Sequence, residues 1–120
     1  MLPREYRLKK RNAFTATYRT GKSFHKNGIT VFCGKTKSKE MNFPTKFGFV
    51  VSKKIHKRAV RRNRIKRLMR ESLRLYIKSN EGFDTSHISI IFVASSRLLN
   101  MSFKEVDSSI KAILKEIKNA

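Results

Sequence analysis

The feature that most constrains the fold is a basic segment with helical periodicity. Residues 53 to 70 read KKIHKRAVRRNRIKRLMR, where ten of eighteen positions are Lys or Arg and none is acidic. From Ile65 onward, apolar side chains recur at helical spacing, which predicts a helix with one buried face. At about 100° per residue, the opposite side collects Asn63, Arg67, Arg70 and Arg74, flanked by Arg64 and Lys66. This helix must therefore cover a core while presenting a dense cationic surface.

The composition of the whole chain indicates what that surface is for. The chain has 120 residues, a formal net charge of +21 and a sequence pI near 11.0. With 39% hydrophobic residues it can bury one core, so we expect a single RNA-binding domain over residues 1–120. A charge of this size repels itself unless it meets a polyanion, and nucleic acid is the usual partner of such a domain.

Other compartments and partners are not favoured by the sequence. Its apolar runs fall short of the roughly 18 residues that a spanning helix needs, and the N-terminus lacks the apolar centre of a signal peptide. Cys33 is the one cysteine, which excludes an internal disulfide and fits a reducing compartment. These observations predict a cytoplasmic protein without membrane association, and we expect no obligate protein partner.

The order of the elements indicates the fold class. A capping box at Ser102 and Glu105 predicts the start of the last helix. The basic helix should end near Ser79, Asn80 and Gly82, and Asn12 is predicted to cap a short first helix that Gly21 closes. Alternating or continuous apolar runs predict three strands. In chain order we expect a helix at 12–20, strands at 29–34 and 47–52, the basic helix, a strand at 88–94 and the last helix. This pattern predicts an α+β fold: a two-layer sandwich with helices packed on a mixed sheet.

Catalytic side chains are scarce. The eight acidic residues form no tight cluster in the sequence, and the three histidines lie in separate segments. A ribonuclease that uses two histidines is an open alternative, but each histidine reads more simply as a surface or turn residue. Cys33 lies on the apolar face of a strand and is expected to be a small core residue. We therefore predict that the protein breaks no bonds with its own side chains.

The residues also carry a family resemblance. The stretch VVSKKIHKRAVRRNRIKRLMRES, with Arg62, Asn63 and Arg64 at its centre, resembles the signature of the bacterial ribonuclease P protein subunit. The segment YRLKKRNAF with a later Tyr18 and Gly21, the FGFVVSKK strand and the final amphipathic helix come in that family's order. The chain departs from it at 56–58, where it reads His-Lys-Arg and some members carry Gly-Asn.

The resemblance implies a ribonucleoprotein endonuclease that removes the 5′ leader of precursor tRNA. In that family the RNA subunit carries the active site and holds the catalytic Mg²⁺ ions, while the protein binds both RNAs. The resemblance also implies that the crossover between the two parallel strands is left-handed, as it is in that family. The residues implied to contact the RNA subunit are Lys53, Lys54, Arg62, Asn63, Arg64, Lys66, Arg67 and Arg70. Those implied to contact the leader are Phe14, Tyr18, Thr30, Phe32, Gly48, Val50 and Ser52.

Two other functions share part of this pattern. A small structural RNA-binding protein of the ribosomal type would have the same charge, size and lack of catalytic groups. The basic helix is also an alternative candidate for a recognition helix that binds the major groove of DNA. In a helix-turn-helix, however, another helix precedes the recognition helix, whereas here the preceding element is a predicted strand. Cleavage of precursor tRNA by a cognate RNA subunit, with and without this protein, distinguishes the three.

Overall fold

The computed structural model describes residues 2–79 and 85–119 and confirms an α+β fold with a mixed sheet. A short 3₁₀ turn, Arg4–Tyr6, precedes the first helix, and another, Ser96–Asn100, precedes the last. The strands are β1 (Ser23–Lys26), β2 (Ile29–Cys33), β3 (Lys46–Val50) and β4 (Ser89–Ala94). The helices are α1 (Arg11–Arg19), α2 (Ala59–Ser79) and α3 (Phe103–Asn119).

The four strands lie in the order β1-β2-β4-β3. The pairs β1–β2 and β2–β4 are antiparallel, whereas β3 and β4 are parallel and are connected through α2. Strand β1 is missing from the sequence-based prediction. It forms because Asn27 and Gly28 both take positive φ, 52° and 85°, which is the backbone that a two-residue hairpin turn requires.

One face of the sheet carries the main core, against α2 and α3. Ile29, Val31 and Cys33 are buried on this face, as their alternation predicts. Phe92 of β4 stacks with the rings of Phe47 and Phe49, at centroid distances of 6.1 and 5.4 Å. The helices contribute the other half of the core, including Ile65, Met69 and Leu73 of α2 and Val106, Ile110, Ile113, Leu114 and Ile117 of α3.

Helix α1 lies on the other face of the sheet. The hydroxyl groups of Thr17 and Ser89 share a buried hydrogen bond of 2.5 Å, which fixes α1 to β4. The predicted cap at Asn12 is wrong: the helix begins at Arg11 after Lys10, whose side chain makes no capping bond. Gly21 closes the helix as predicted, with φ of 72° and its N–H donating to the Tyr18 carbonyl.

The ends of the other elements follow local chemistry. The capping box of α3 is confirmed: the Glu105 N–H donates to Ser102 Oγ and the Ser102 N–H to Glu105 Oε1, both at 3.3 Å. Helix α2 reaches Ser79, and the predicted end residues Asn80 and Gly82 lie outside the described residues. Over the described ranges, the helices are too short or too polar to cross a membrane.

Candidate nucleic-acid interface

The solvent side of α2 carries a cationic surface, which we call the basic face: Asn63, Lys66, Arg67 and Arg70. Asn63 and Arg67 are exposed, whereas Lys66 and Arg70 are half-buried on the flank beside β3. Arginine offers a planar fork that matches a phosphate, and Asn63 adds both a donor and an acceptor. The basic face therefore brings together four of the eight residues expected to bind the RNA subunit.

Arg62 lies at the base of the helix and holds the preceding loop. Its Nη1 donates to the carbonyl oxygens of His56 and Lys57, both at 2.8 Å. The Arg58 N–H donates to Nδ1 of His56 at 3.1 Å, so the proton of a neutral imidazole lies on Nε2. In the described chain Asn27 is the one non-glycine residue with positive φ, so His-Lys-Arg needs no glycine conformation here. The Arg62 guanidinium thus has a structural partner.

The remaining three predicted residues flank the basic face. The Arg64 guanidinium turns to the other side of α2 and donates to the Met101 carbonyl at 3.3 Å. Lys53 and Lys54 are exposed in the loop before α2. That loop is ordered by Ser52, whose Oγ accepts the Lys54 N–H at 3.2 Å. Two lysines are thereby held between the end of β3 and the helix.

Arg74, which periodicity places on the same side of α2, is bound to an acid. Its Nε and Nη2 donate to the two carboxylate oxygens of Glu71 at 3.1 and 2.6 Å. This hydrogen bond lowers the pKa of Glu71 below its ordinary value and raises that of Arg74. Glu71 is the one acidic residue in α2, so it locally reduces the positive charge of the helix.

A second candidate surface, the aromatic cleft, lies between α1 and the sheet. Its residues are Phe14, Tyr18, Thr30, Phe32 and Val50. The rings of Tyr18 and Phe32 meet edge to face, with centroids 4.8 Å apart and an interplanar angle of 80°. Tyr18 is 39% exposed, and burial of the rest raises the pKa of its phenol. Ser52 is exposed beyond the end of β3. Aromatic faces in this position can stack on unpaired bases.

Gly48 acts on this cleft through Phe14. It is buried, and a Cβ on it would lie 2.7 Å from both Cε1 and Cζ of the Phe14 ring. Real Cβ atoms do not approach this closely, so glycine is what allows the ring to lie against β3. The leader contact predicted for Gly48 would thus be made by the aromatic ring above it.

Two residues of the cleft are absent from the sequence-based set. Val93 is half-buried and lies in register between Thr30 on one side and Val50 on the other. His25 of β1 is exposed, and its Nδ1 lies 3.0 Å from Oγ1 of Thr30. Strict alternation along β4 would have placed Val93 on this face, and the Asn27-Gly28 turn would have revealed the strand that carries His25.

The basic face and the aromatic cleft meet at β3. A depression of about 240 Å³ there is lined by Phe14 of the cleft, by Gly48 beneath its ring, and by Lys66 and Arg70 of the basic face. Arg7 and Lys9 of the N-terminal segment line it too. That segment covers the edge of β3, where the Leu8 N–H donates to the Phe47 carbonyl at 2.9 Å. Cationic and aromatic side chains therefore share one continuous surface.

Residues that could hold a metal ion are not gathered in the described part of the chain. Across 2–79 and 85–119, His, Cys, Asp and Glu form no group of three or more suited to an ion. Cys33 is buried in the core, and burial raises the pKa of its thiol, as expected of a packing residue.

Comparisons with known proteins agree on one family. The family model described as Ribonuclease P matches residues 2–118. The ribonuclease P protein component of Clostridium kluyveri is 38% identical over 92% of this chain and 93% of its own. That of Clostridioides difficile is 37% identical over 90% and 88%. The structure of the Staphylococcus aureus RNase P protein superposes with a TM-score of 0.75 at 29% identity, covering 95% of this chain and 98% of that one. The Thermotoga maritima protein gives 0.72 at 27% identity, with 92% and 96% covered. The chain belongs to the ribonuclease P protein family.

Proposed function

We propose that this protein binds the ribonuclease P RNA with its basic face and the 5′ leader of precursor tRNA with its aromatic cleft. The observation that carries the proposal is the shared depression at β3, where Lys66 and Arg70 lie beside Phe14. A catalytic RNA on α2 and a single strand over the sheet would then be held side by side.

The two surfaces suit different parts of the RNA. The basic face offers guanidinium and ammonium groups for phosphates, which give affinity without sequence preference. The cleft offers Tyr18 and Phe32 for bases, and each stacked base is worth about 1–3 kcal/mol. Lys53 and Lys54 are exposed in the loop that follows β3, and we propose that they contact the backbone of the strand that leaves the cleft.

We assign the cleavage reaction to the RNA subunit. Mg²⁺ takes oxygen ligands, and the described residues bring no set of carboxylates together for it. We therefore propose that the RNA subunit holds the catalytic Mg²⁺ and removes the leader. We also propose that this reaction takes place in the cytoplasm. The protein's part is to position the substrate and to offset phosphate repulsion between two RNAs, which is largest when Mg²⁺ is scarce.

Reconstitution tests the proposal. A bacterial ribonuclease P RNA is assayed for cleavage of precursor tRNA at low Mg²⁺, alone and with the purified protein. We expect the protein to restore cleavage, and to cleave nothing without the RNA. Cleavage by RNA-free protein would overturn the division of roles, and an RNA that gains nothing from the protein would favour a purely structural RNA-binding function.

A further inference from the structure

A separate pocket, which we call the flank pocket, lies on the side of α1 that faces away from the aromatic cleft. It has a volume of about 440 Å³, and its walls include Leu8, Ala13, Ala16, Phe43 and Ile88. Lys35 and Lys46 also line it. Phe14 and Tyr18 point to the cleft, whereas the small residues Ala13 and Ala16 leave this other flank open. Its size is within the range of small-molecule sites, about 300–1,000 Å³.

A cationic depression adjoins the flank pocket. It is lined by Arg4, Arg7, Lys9, Lys10 and Lys46, and it shares Leu8, Ala13 and Lys46 with the pocket. In the part of the chain that the structure describes, both linings are free of acidic residues. The N-terminus of α1 adds the partial positive charge of the helix dipole, and no acidic residue in its first turn offsets it. A ligand here meets an apolar slot and, directly beside it, concentrated positive charge.

The loop that supplies Phe43 is anchored at both ends by hydrogen bonds to the segment before β4. The Ile88 N–H donates to the Lys35 carbonyl at 2.8 Å, and the Lys37 N–H donates to the Ser86 carbonyl at 2.7 Å. At the loop's other end, Thr45 Oγ1 donates to the His87 carbonyl at 2.7 Å. Phe43 nevertheless leaves 39% of its surface exposed. Anchoring both ends of the loop limits the positions that this exposed ring can take, which lowers the entropic cost of stacking on it.

We propose that the flank pocket is a second single-strand site, which holds one unpaired nucleotide of an RNA. Its base lies against Phe43 and the small residues of α1, and its phosphates lie against Lys46 and the cationic depression. A flat aromatic group joined to an anion matches this neighbouring pair of surfaces, and base stacking with backbone charge is the usual combination in single-strand binding. The proposal builds on the proposed function, since it gives an RNA-binding protein a further contact on the far side of α1.

The test uses a 5′-phosphorylated pentaadenylate RNA and backbone amide shifts of the full-length protein. We expect saturable shifts at Ala16, Gly34 and Ile88. Phe43→Ala should raise the Kd of this event about fivefold or more, while Met41→Ala, in the same loop, should stay within about twofold. Met41 is a matched control because it is 38% exposed and does not line the pocket. Ala16→Leu, which fills the slot without changing charge, should weaken binding as Phe43→Ala does.

Three results would overturn the proposal: shifts confined to Phe14, Tyr18 and Phe32; equal effects of Phe43→Ala and Met41→Ala; or 5′-AMP binding as tightly as the oligonucleotide. The last would mean a free-nucleotide site. Reconstituted cleavage is measured in parallel with the unmodified protein. Failure there with intact oligonucleotide binding would count against the proposed function alone.

Discussion

Replacing Phe32 by alanine tests the aromatic cleft most directly. Phe32 lies on the sheet face that α1 only partly covers, and its ring meets Tyr18 at 4.8 Å. If a leader base stacks there, its loss should cost about 1–3 kcal/mol of binding, which is about fivefold to 150-fold in affinity. Mature tRNA has no leader, so its affinity should change little.

The structure also bounds the stability cost of this change. Phe32 is half-buried and is not part of the main core cluster, so Phe32→Ala should cost less than the roughly 3–5 kcal/mol typical of a buried phenylalanine. Phe24, on the neighbouring strand, is also half-buried but packs against the core on the opposite face. Phe24→Ala is therefore the matched control, expected to lower stability without distinguishing the two RNAs.

The assay compares the affinities of the reconstituted complex for leader-bearing and mature tRNA, with a thermal melt of each variant. A Phe32→Ala protein that melts normally but binds both tRNAs as the unmodified protein does would refute stacking at this residue. Equal losses for both tRNAs, together with a lower Tm, would assign Phe32 to packing.

Three further predictions concern the basic face, the ion pair beside it, and Gly48, against which the Phe14 ring packs. Arg67→Ala should weaken binding of the RNA subunit and flatten the slope of log K against log[salt] by about one. Lys115→Ala on α3 is the control and should change neither quantity much. Equal effects of the two substitutions would mean that diffuse positive charge, and not the basic face, binds the RNA. Glu71→Gln should release Arg74 and tighten RNA binding about two- to fivefold, measured in the same titration. The pKa of Glu71 is lower in the folded protein than in the unfolded chain. The stabilisation from its ion pair with Arg74 is therefore fully present above the unfolded-state pKa and is lost only as pH falls through the lower pKa of the folded state. Mild acidification to pH 6 should consequently leave the ion pair intact and should not mimic Glu71→Gln. Gly48→Ala should lower Tm, at a cost of about 1–3 kcal/mol, and weaken leader binding by displacing the ring above it; an unchanged Tm would contradict the close contact.

Most of the fold could be predicted from the sequence because most of its helices and strands carry a local sequence signal. The capping box at Ser102, the apolar stripe from Ile65 and the alternation from Ile29 each predict an element that the structure contains. Strand β1 was missed because it is short, and its residues alternate between exposed and half-buried. The signal for it was the turn, Asn27-Gly28, and not the strand itself.

The candidate site was less accessible, because sequence spacing shows which residues share a helix face but not which partners are already bound. Periodicity groups Arg74 with Arg67, yet Arg74 is held by Glu71 three residues away. Arg62 is among the residues predicted to contact the RNA subunit, yet its guanidinium fixes the loop before α2 through two carbonyl groups. Arg62 thus has a structural role in addition to the RNA contact predicted for it. Substituting it would change both, so Arg67, which is exposed and forms none of these contacts, is the better test of whether the helix itself binds phosphate.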